Sequence, residues 1–345
     1  MKSSWQVALQ GSIVTPDELA EKFPVDPAVI TAVTARYPFR ITRHYFNLIR
    51  EPGDPVWQQA IPDLRELHDD LQLADPLNES GLSPVPGLIH RYPDRVVWLV
   101  ANSCAVYCRF CMRKRQVGCC HGESGHAGFA DALRYIRETP AIRDVILSGG
   151  DPLLLDDDTL QYILASLRQI PHVEIVRIGT RVPVTFPERI TAALCAMIRR
   201  YHPVYLNTHF NHPVELTGAS RNACAMLADA GLQLGNQTVL LAGVNDDPAV
   251  IAALCKGLLA IRVKPYYLHQ MDLVKGTAHF RTGVKTGLEI MGKLRGHISG
   301  LGVPYYVIDL PGGKGKVPLL PGETAAADGV YRLRTYSGEL VEYRE

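Results

Sequence analysis

The 345-residue chain has no apolar run near the ~20 residues that a membrane span requires. Its first residues, Met1-Lys-Ser-Ser-Trp-Gln-Val7, lack the apolar core of a secretory signal. Charge is nearly balanced, with a formal net charge of +1. Neither nucleic acid nor a membrane surface is therefore an expected partner. No segment repeats and no tract is of low complexity. Cysteine, at 8 residues, is too sparse for a disulfide scaffold. The histidines form no H-x3-H pair in a metal-like setting, and Asn207-Thr-His209-Phe-Asn211-His212 is their one notable cluster. A phosphate loop is excluded at Pro311-Gly-Gly-Lys314-Gly-Lys316, because Val317-Pro318 stands where such a loop needs Ser or Thr and a helix start. What remains is a globular composition, 47% hydrophobic and 21% charged, expected in a reducing, cytoplasmic compartment.

Three of the cysteines are clustered. Cys104, Cys108 and Cys111 form C-x3-C-x2-C after the apolar run Val96–Val100. Thiolates are soft ligands that favour iron–sulfur clusters or zinc. A structural zinc loop pairs cysteines as C-x2-C twice, and no second pair exists here. A closed cubane cluster takes four cysteines. Three in one loop leave one iron open, unless Cys119 or Cys120 supplies a fourth ligand. That would make the chain an iron–sulfur electron carrier. Cys195, Cys224 and Cys255 fall on helix-like segments and read as small buried hydrophobes.

Residues 1–90 show no strand–helix alternation and read as a helical cap. Thr15-Pro-Asp-Glu18 is a capping box that starts one helix, and Pro55–Leu71 reads as another. From residue 91 to 310, strands at Val96–Val100, Val145–Leu147, Glu174–Ile178, Val204–Asn207, Leu232–Leu241 and Lys264–His269 alternate with helical stretches. The helices are expected at Phe129–Glu138, Thr159–Gln169, Glu188–Arg200, Leu216–Ala230 and Pro248–Ile261. A last helical stretch, Gly287–Ile298, leads to Val303–Asp309. Six βα units argue for an α/β fold with a parallel sheet buried on both faces, closed as a partial (β/α)6 barrel. Chemistry then belongs at the C-terminal strand ends, where the cysteine loop and Ser148-Gly149-Gly150-Asp151 lie. Residues 311–345 hold a glycine-rich lysine loop, suited to an imine with pyridoxal phosphate, and two short runs that read as a hairpin.

These pieces resemble the lysine 2,3-aminomutase family of radical S-adenosylmethionine enzymes over about residues 84–336. The shared motifs are His90-Arg91-Tyr92-Pro93-Asp94-Arg95, the cysteine loop with Arg113, Ser148-Gly-Gly-Asp-Pro-Leu153, Asn207–Pro213, Asn236–Asp246, His279-Phe-Arg281, Leu294–His297 and Asp309–Lys316. The resemblance implies a radical SAM partial barrel that interconverts L-α-lysine and β-lysine by 2,3-amino migration. It implies a [4Fe–4S] cluster on Cys104, Cys108 and Cys111. It places S-adenosyl-L-methionine near Gly149, Gly150, Asp151, His209 and Gln237. Pyridoxal 5′-phosphate would form an aldimine with Lys316, its phosphate near Arg91 and Arg95 and its ring against Tyr92. Arg113 would take the substrate carboxylate, and Asp272 and Asp309 its distal ammonium.

As partners the resemblance implies free lysine and a one-electron donor such as flavodoxin or ferredoxin. It admits a homo-oligomer and a link to β-lysylation of elongation factor P. An arginine or glutamate 2,3-aminomutase is the near alternative. Zinc is not expected, because Asp247 replaces a cysteine ligand of the free-lysine enzymes and no C-terminal cysteine cluster follows.

Overall fold

A computed structural model describes residues 3–69, 72–118, 126–320, 325–327 and 330–344. Cys119 and Cys120 lie outside them. A nine-stranded sheet runs in sequence order. Its strands are β1 (Leu88–Tyr92), β2 (Arg95–Ala101), β3 (Asp144–Gly149), β4 (Ile175–Gly179), β5 (Val204–Thr208), β6 (Gln233–Leu240), β7 (Val263–Gln270), β8 (Tyr305–Asp309) and β9 (Lys316–Pro318). Strands β2 to β8 are parallel, and β1 and β9 are antiparallel edges. Six crossover helices join the parallel strands: His126–Glu138, Asp157–Arg168, Ala192–Arg199, Gly218–Asp229, Pro248–Ala260 and Val284–Leu294. The run at 303–309 is thus a seventh parallel strand. A separate antiparallel sheet follows, β10 (Ala325–Ala327), β11 (Val330–Arg334) and β12 (Leu340–Arg344), and it contains the expected hairpin.

The strands differ from the expected two-sided burial. Val96, Trp98 and Val100 of β2 are buried, as are Val145 and Leu147 of β3 and Val176 and Ile178 of β4. Trp98 meets Phe129 of the first crossover helix edge-on at 5.4 Å. The alternate residues, Arg95, Val97, Ile146, Ser148 and Arg177, line an interior cavity instead. One face of the sheet packs on helices, and the other is a partly polar wall. The period of two between side chains puts one set on each face.

The sheet's two edge strands exchange no backbone hydrogen bonds, yet side chains join them. Arg91 Nη1 of β1 donates to Asp309 Oδ1 of β8 at 2.7 Å. Tyr92 OH of β1 accepts from the Lys316 backbone N of β9 at 2.9 Å. The sheet is therefore curled into a partial barrel, latched by side chains.

The N-terminal segment is helical only in pieces. Thr15 caps Pro16–Ala20 with Glu18 completing the box, as expected. The helix expected over Pro55–Leu71 ends at Ala60. Ile61 precedes Pro62, whose ring disfavours helical backbone before it, and Ile61 is extended at φ −92°, ψ 133°. A single 3-10 turn, Leu64–Glu66, follows. The helix expected at Glu188–Arg200 begins only at Ala192, after a 3-10 turn at Pro187–Arg189. The stretch expected at Gly287–Ile298 is helical over Val284–Leu294.

The cap's purpose is invisible in its own sequence but plain in its contacts. Buried Glu66 pairs with Arg109, inside the cysteine loop, and with Lys114 Nζ at 2.5 Å. Burial would raise the Glu66 carboxyl, but the Arg109 and Lys114 charges overcome it and hold it below its ordinary value. Lys114 is pushed down to about 8, chiefly by burial. Removing one member of a buried ion group strands the others, at a typical cost of about 3–5 kcal/mol. Glu66→Ala is therefore expected to lower the unfolding free energy by about that amount, read from the denaturant midpoint. An unchanged midpoint would show that the triad does not hold the cap to the loop.

Candidate active site

One cavity of about 550 Å³ occupies the inside of the partial barrel. Every site residue named from the sequence lines it: Arg91, Tyr92, Arg95, Cys104, Cys108, Cys111, Arg113, Gly149, Gly150, Asp151, His209, Gln237, Asp272, Asp309 and Lys316. The cysteines stand at the C-terminal end of β2. Asp309 ends β8 and Lys316 opens β9 opposite it, so this pair also stands at a C-terminal strand end, as the barrel rule suggests. Arg91, Tyr92 and Arg95 come instead from the end of β1 and the start of β2.

The cysteine loop has no helix or strand of its own between Asn102 and Val117. Backbone hydrogen bonds pin it from outside: Tyr107 N to Arg40 O at 3.1 Å and Arg109 N to Gln59 O at 2.9 Å. Arg40 Nη1 donates to Ser103 Oγ at 2.9 Å. Gly149 and Gly150 explain themselves here. A Cβ on Gly149 would stand 2.2 Å from Ala101 O, and Gly149 has φ +125°. A Cβ on Gly150 would stand 2.4 Å from Ser103 O. These glycines are required because β3's end lies directly on the start of the cysteine loop.

All three thiols are free, and none is paired as a disulfide. Burial raises the Cys104 thiol well above its ordinary value, with Asp151 and the other two cysteines adding to it. Burial and Cys108 push Cys111 up to about 11. Cationic metal at this point would reverse that cost by binding the thiolate form. A donor set of three soft thiols fits iron and sulfide rather than a hard cation. Cys195, Cys224 and Cys255 are buried in helices away from the cavity.

Asp151 is a brace. Its carboxylate accepts from Thr180 Oγ1 at 2.6 Å, Arg181 N at 2.7 Å and Leu153 N at 3.1 Å, tying the end of β3 to the end of β4. The histidine cluster divides. Asn211 Oδ1 accepts from Val239 N at 3.0 Å, and His212 Nδ1 accepts from Val214 N at 3.2 Å, so both secure loops. His209 faces the cavity edge-on to Phe110, kept neutral by burial and by Arg181. Gln237 Oε1 lies 3.3 Å from His269 Nε2.

At the far end Lys316 Nζ donates to Asp309 Oδ2, while Lys314 is exposed and outside the cavity. Burial works against the Asp309 carboxylate, yet Lys316 holds it below its ordinary value. Asp272 differs. Its carboxylate makes no hydrogen bond or ion pair to another described residue. Burial, then the charge of Asp309, pushes it up to about 7. Arg91 is committed to Asp309, and Arg95 covers the Tyr92 ring at 4.7 Å while pairing with Asp94.

Several residues escaped sequence reasoning. Glu79 grips Arg113 through Nε and Nη2, the latter at 2.7 Å, and Ser148 Oγ takes Nη1 at 3.1 Å. Nothing in the irregular cap marked Glu79. Arg181 donates to Cys108 Sγ, and His269 stands between Gln237 and Asp309, 4.0 Å from the latter. Both follow or end a barrel strand, β4 and β7, a position that could have exposed them.

A family model described as lysine-2,3-aminomutase matches residues 291–345. The L-lysine 2,3-aminomutase of Acetoanaerobium sticklandii is 47% identical over 352 aligned positions, covering 99% of this chain and 84% of that protein. The glutamate 2,3-aminomutase of Clostridioides difficile is 46% identical over 319 positions, covering 92% and 76%. Among solved structures, a radical SAM methyltransferase from Sphaerobacter thermophilus aligns with a TM-score of 0.43 and 20% identity, over 64% of this chain and 67% of that one. With near-half identity across almost its whole length, the chain belongs to the lysine 2,3-aminomutase family.

Proposed function

We propose that this chain moves the α-amino group of L-lysine from C2 to C3, giving β-lysine. The observation that carries the reading is one cavity with a soft thiol triad on one wall and a lysine–carboxylate cluster on another. The names of the relatives support it. Cys104, Cys108 and Cys111 would hold a [4Fe–4S] cluster. S-adenosyl-L-methionine would lie between it and Gly149, Gly150, Asp151, His209 and Gln237. Lys316 would hold pyridoxal 5′-phosphate, with Arg91, Tyr92 and Arg95 around it. Together these groups supply a hydrogen-abstracting radical and a π-system for the migrating nitrogen, which acid–base chemistry alone cannot offer at an unactivated C–H.

The chain's own residues do the rest. Lys316 Nζ must lose a proton before it can bond to a carbonyl carbon. Asp309, hydrogen-bonded to that nitrogen, orients it. Arg113, fixed by Glu79 and Ser148, would fasten the substrate carboxylate. Asp272, half-buried and with an unpaired carboxylate, would take the distal ammonium with Asp309. A distal carboxylate would meet like charge there, which disfavours glutamate. The electron would come from a flavodoxin or ferredoxin in the cytoplasm. The β-lysine would serve free metabolism or elongation factor P.

Anaerobically reconstituted chain, incubated separately with lysine, glutamate and arginine, is expected to yield β-lysine fastest. Faster β-glutamate formation would overturn the substrate reading, and no β-amino acid from any of them would overturn the reaction. Borohydride reduction followed by peptide mapping is expected to put the pyridoxyl group on Lys316; a label on Lys314 would contradict the assignment.

The Asp272 carboxyl also gives binding a pH dependence. Below about 7 it is neutral and cannot pair with an ammonium; above it the carboxylate is present. Lysine affinity is expected to rise with pH up to about 7 and then level off. Asp272→Asn should weaken binding about ten- to a hundredfold, the worth of a charged hydrogen bond, and remove that rise. Calorimetric titration across pH 5.5–8.5 (roughly one and a half units either side) checks it, and an unaltered profile in the variant would exclude Asp272 as the titrating group.

A further inference from the structure

Arg181 follows β4, and its side chain is 8% exposed. Nη1 donates to Cys108 Sγ at 2.8 Å. Nη2, with two hydrogens, lies within hydrogen-bond reach of Glu215 Oε1 at 2.8 Å, Gln59 Oε1 at 2.6 Å and Tyr45 OH at 3.0 Å. Nε donates to His209 O at 3.2 Å. The guanidinium also lies over the rings of Tyr45 and Phe110, at 5.3 and 5.2 Å. A rigid planar fork anchored at all three nitrogens cannot swing away from the sulfur. Among the described residues, no other side-chain nitrogen donates to a sulfur of the triad. A full positive charge is thus fixed against one thiol, and its counter-charge, fully buried Glu215, sits on the other side.

Charges and N–H···S hydrogen bonds close to an iron–sulfur cluster set its reduction potential. Adding one electron to a 2+ cluster gives the 1+ state; no bond breaks and no proton moves. A buried cation beside a ligand sulfur favours the more negative state, and a buried anion beside that cation offsets it. We propose that Arg181 is a positioning residue acting through Cys108 to raise the reduction potential of the cluster, with Glu215 setting how much of that charge is felt. The inference rests on the reading of Cys104, Cys108 and Cys111 as cluster ligands.

The test is a redox titration of the reconstituted full-length chain with a low-potential chemical reductant, followed by electron paramagnetic resonance, with iron and sulfide measured per chain. Arg181→Gln is expected to make reduction at least tenfold less favourable, a shift of about 59 mV to lower potential for one electron. Arg181→Lys, which keeps the charge, is expected to recover part of that shift. Glu215→Gln is expected to move the midpoint the opposite way, to higher potential. General loosening of the site would not produce shifts of opposite sign. A cluster-loaded Arg181→Gln with an unchanged midpoint overturns the proposal, and so do shifts of the same sign in the two glutamine variants. So does weaker S-adenosylmethionine binding with no change in midpoint, which would make Arg181 a ligand-holding residue. If Arg181→Gln fails to hold iron, Glu215→Gln decides alone: a higher midpoint supports the proposal, and an equal or lower one refutes it. A wild-type chain that takes up no cluster sinks the functional reading itself, a result distinct from all of these.

Discussion

A loop of thiols with no regular hydrogen bonding must be held by everything around it, and much of this fold is spent on that task. Backbone donors and acceptors of the loop are paired with Arg40 and Gln59 of the N-terminal cap. Two glycines let β3 press directly on the loop's first residues. Buried charges do the remainder. Glu66 binds Arg109 and Lys114, Glu79 binds Arg113, and Glu215 binds Arg181. Each acidic partner comes from outside the loop. Buried ion pairs contribute little net stability but punish any arrangement that leaves a member alone. They therefore hold the loop in one conformation more than they strengthen the fold.

The far end of the cavity is held on the same plan. The sheet is latched by Arg91 on Asp309 and by Tyr92 on the Lys316 backbone. Those contacts also aim Asp309 and Lys316 inward. One carboxylate is satisfied by two cations, while Asp272 is left without a partner. A carboxyl in the cavity without a cation partner is raised by desolvation and by like charge, and an ammonium at that carboxyl would relieve both. The latch, Lys316 and Asp272 are thus one electrostatic unit, and a change to Arg91 would be felt at Asp272.

Much of this was legible in the sequence where local chemistry decides. The C-x3-C-x2-C spacing pointed to the thiol loop and the strand–helix alternation to the barrel order, whereas the residues at the far end of the cavity came from the family resemblance. The reading failed where distant contacts decide. Strand patterns such as Arg95-Val-Val-Trp-Leu-Val-Ala101 look two-sidedly apolar, yet alternate residues face an open interior. Periodicity cannot say whether a strand's second face meets a helix or a cavity. Gly149 and Gly150 also meet a constraint that sequence does not display, the backbone of Ala101 and Ser103. Glu66, Glu79 and Glu215 are unremarkable acids in sequence, and only folding brings each against its arginine. The helix ending at Ala60 was recoverable in principle, since Pro62 restricts Ile61.

The central claim is that the thiol triad and Lys316 serve one substrate inside one cavity. Its most direct test is to supply lysine deuterated at C3, under anaerobic conditions with reductant and S-adenosylmethionine, and to weigh the 5′-deoxyadenosine and β-lysine formed. Deuterium in both is predicted, because one chamber must pass the hydrogen between cofactor and substrate. Unlabelled 5′-deoxyadenosine released alongside lysine that keeps all its deuterium would contradict it.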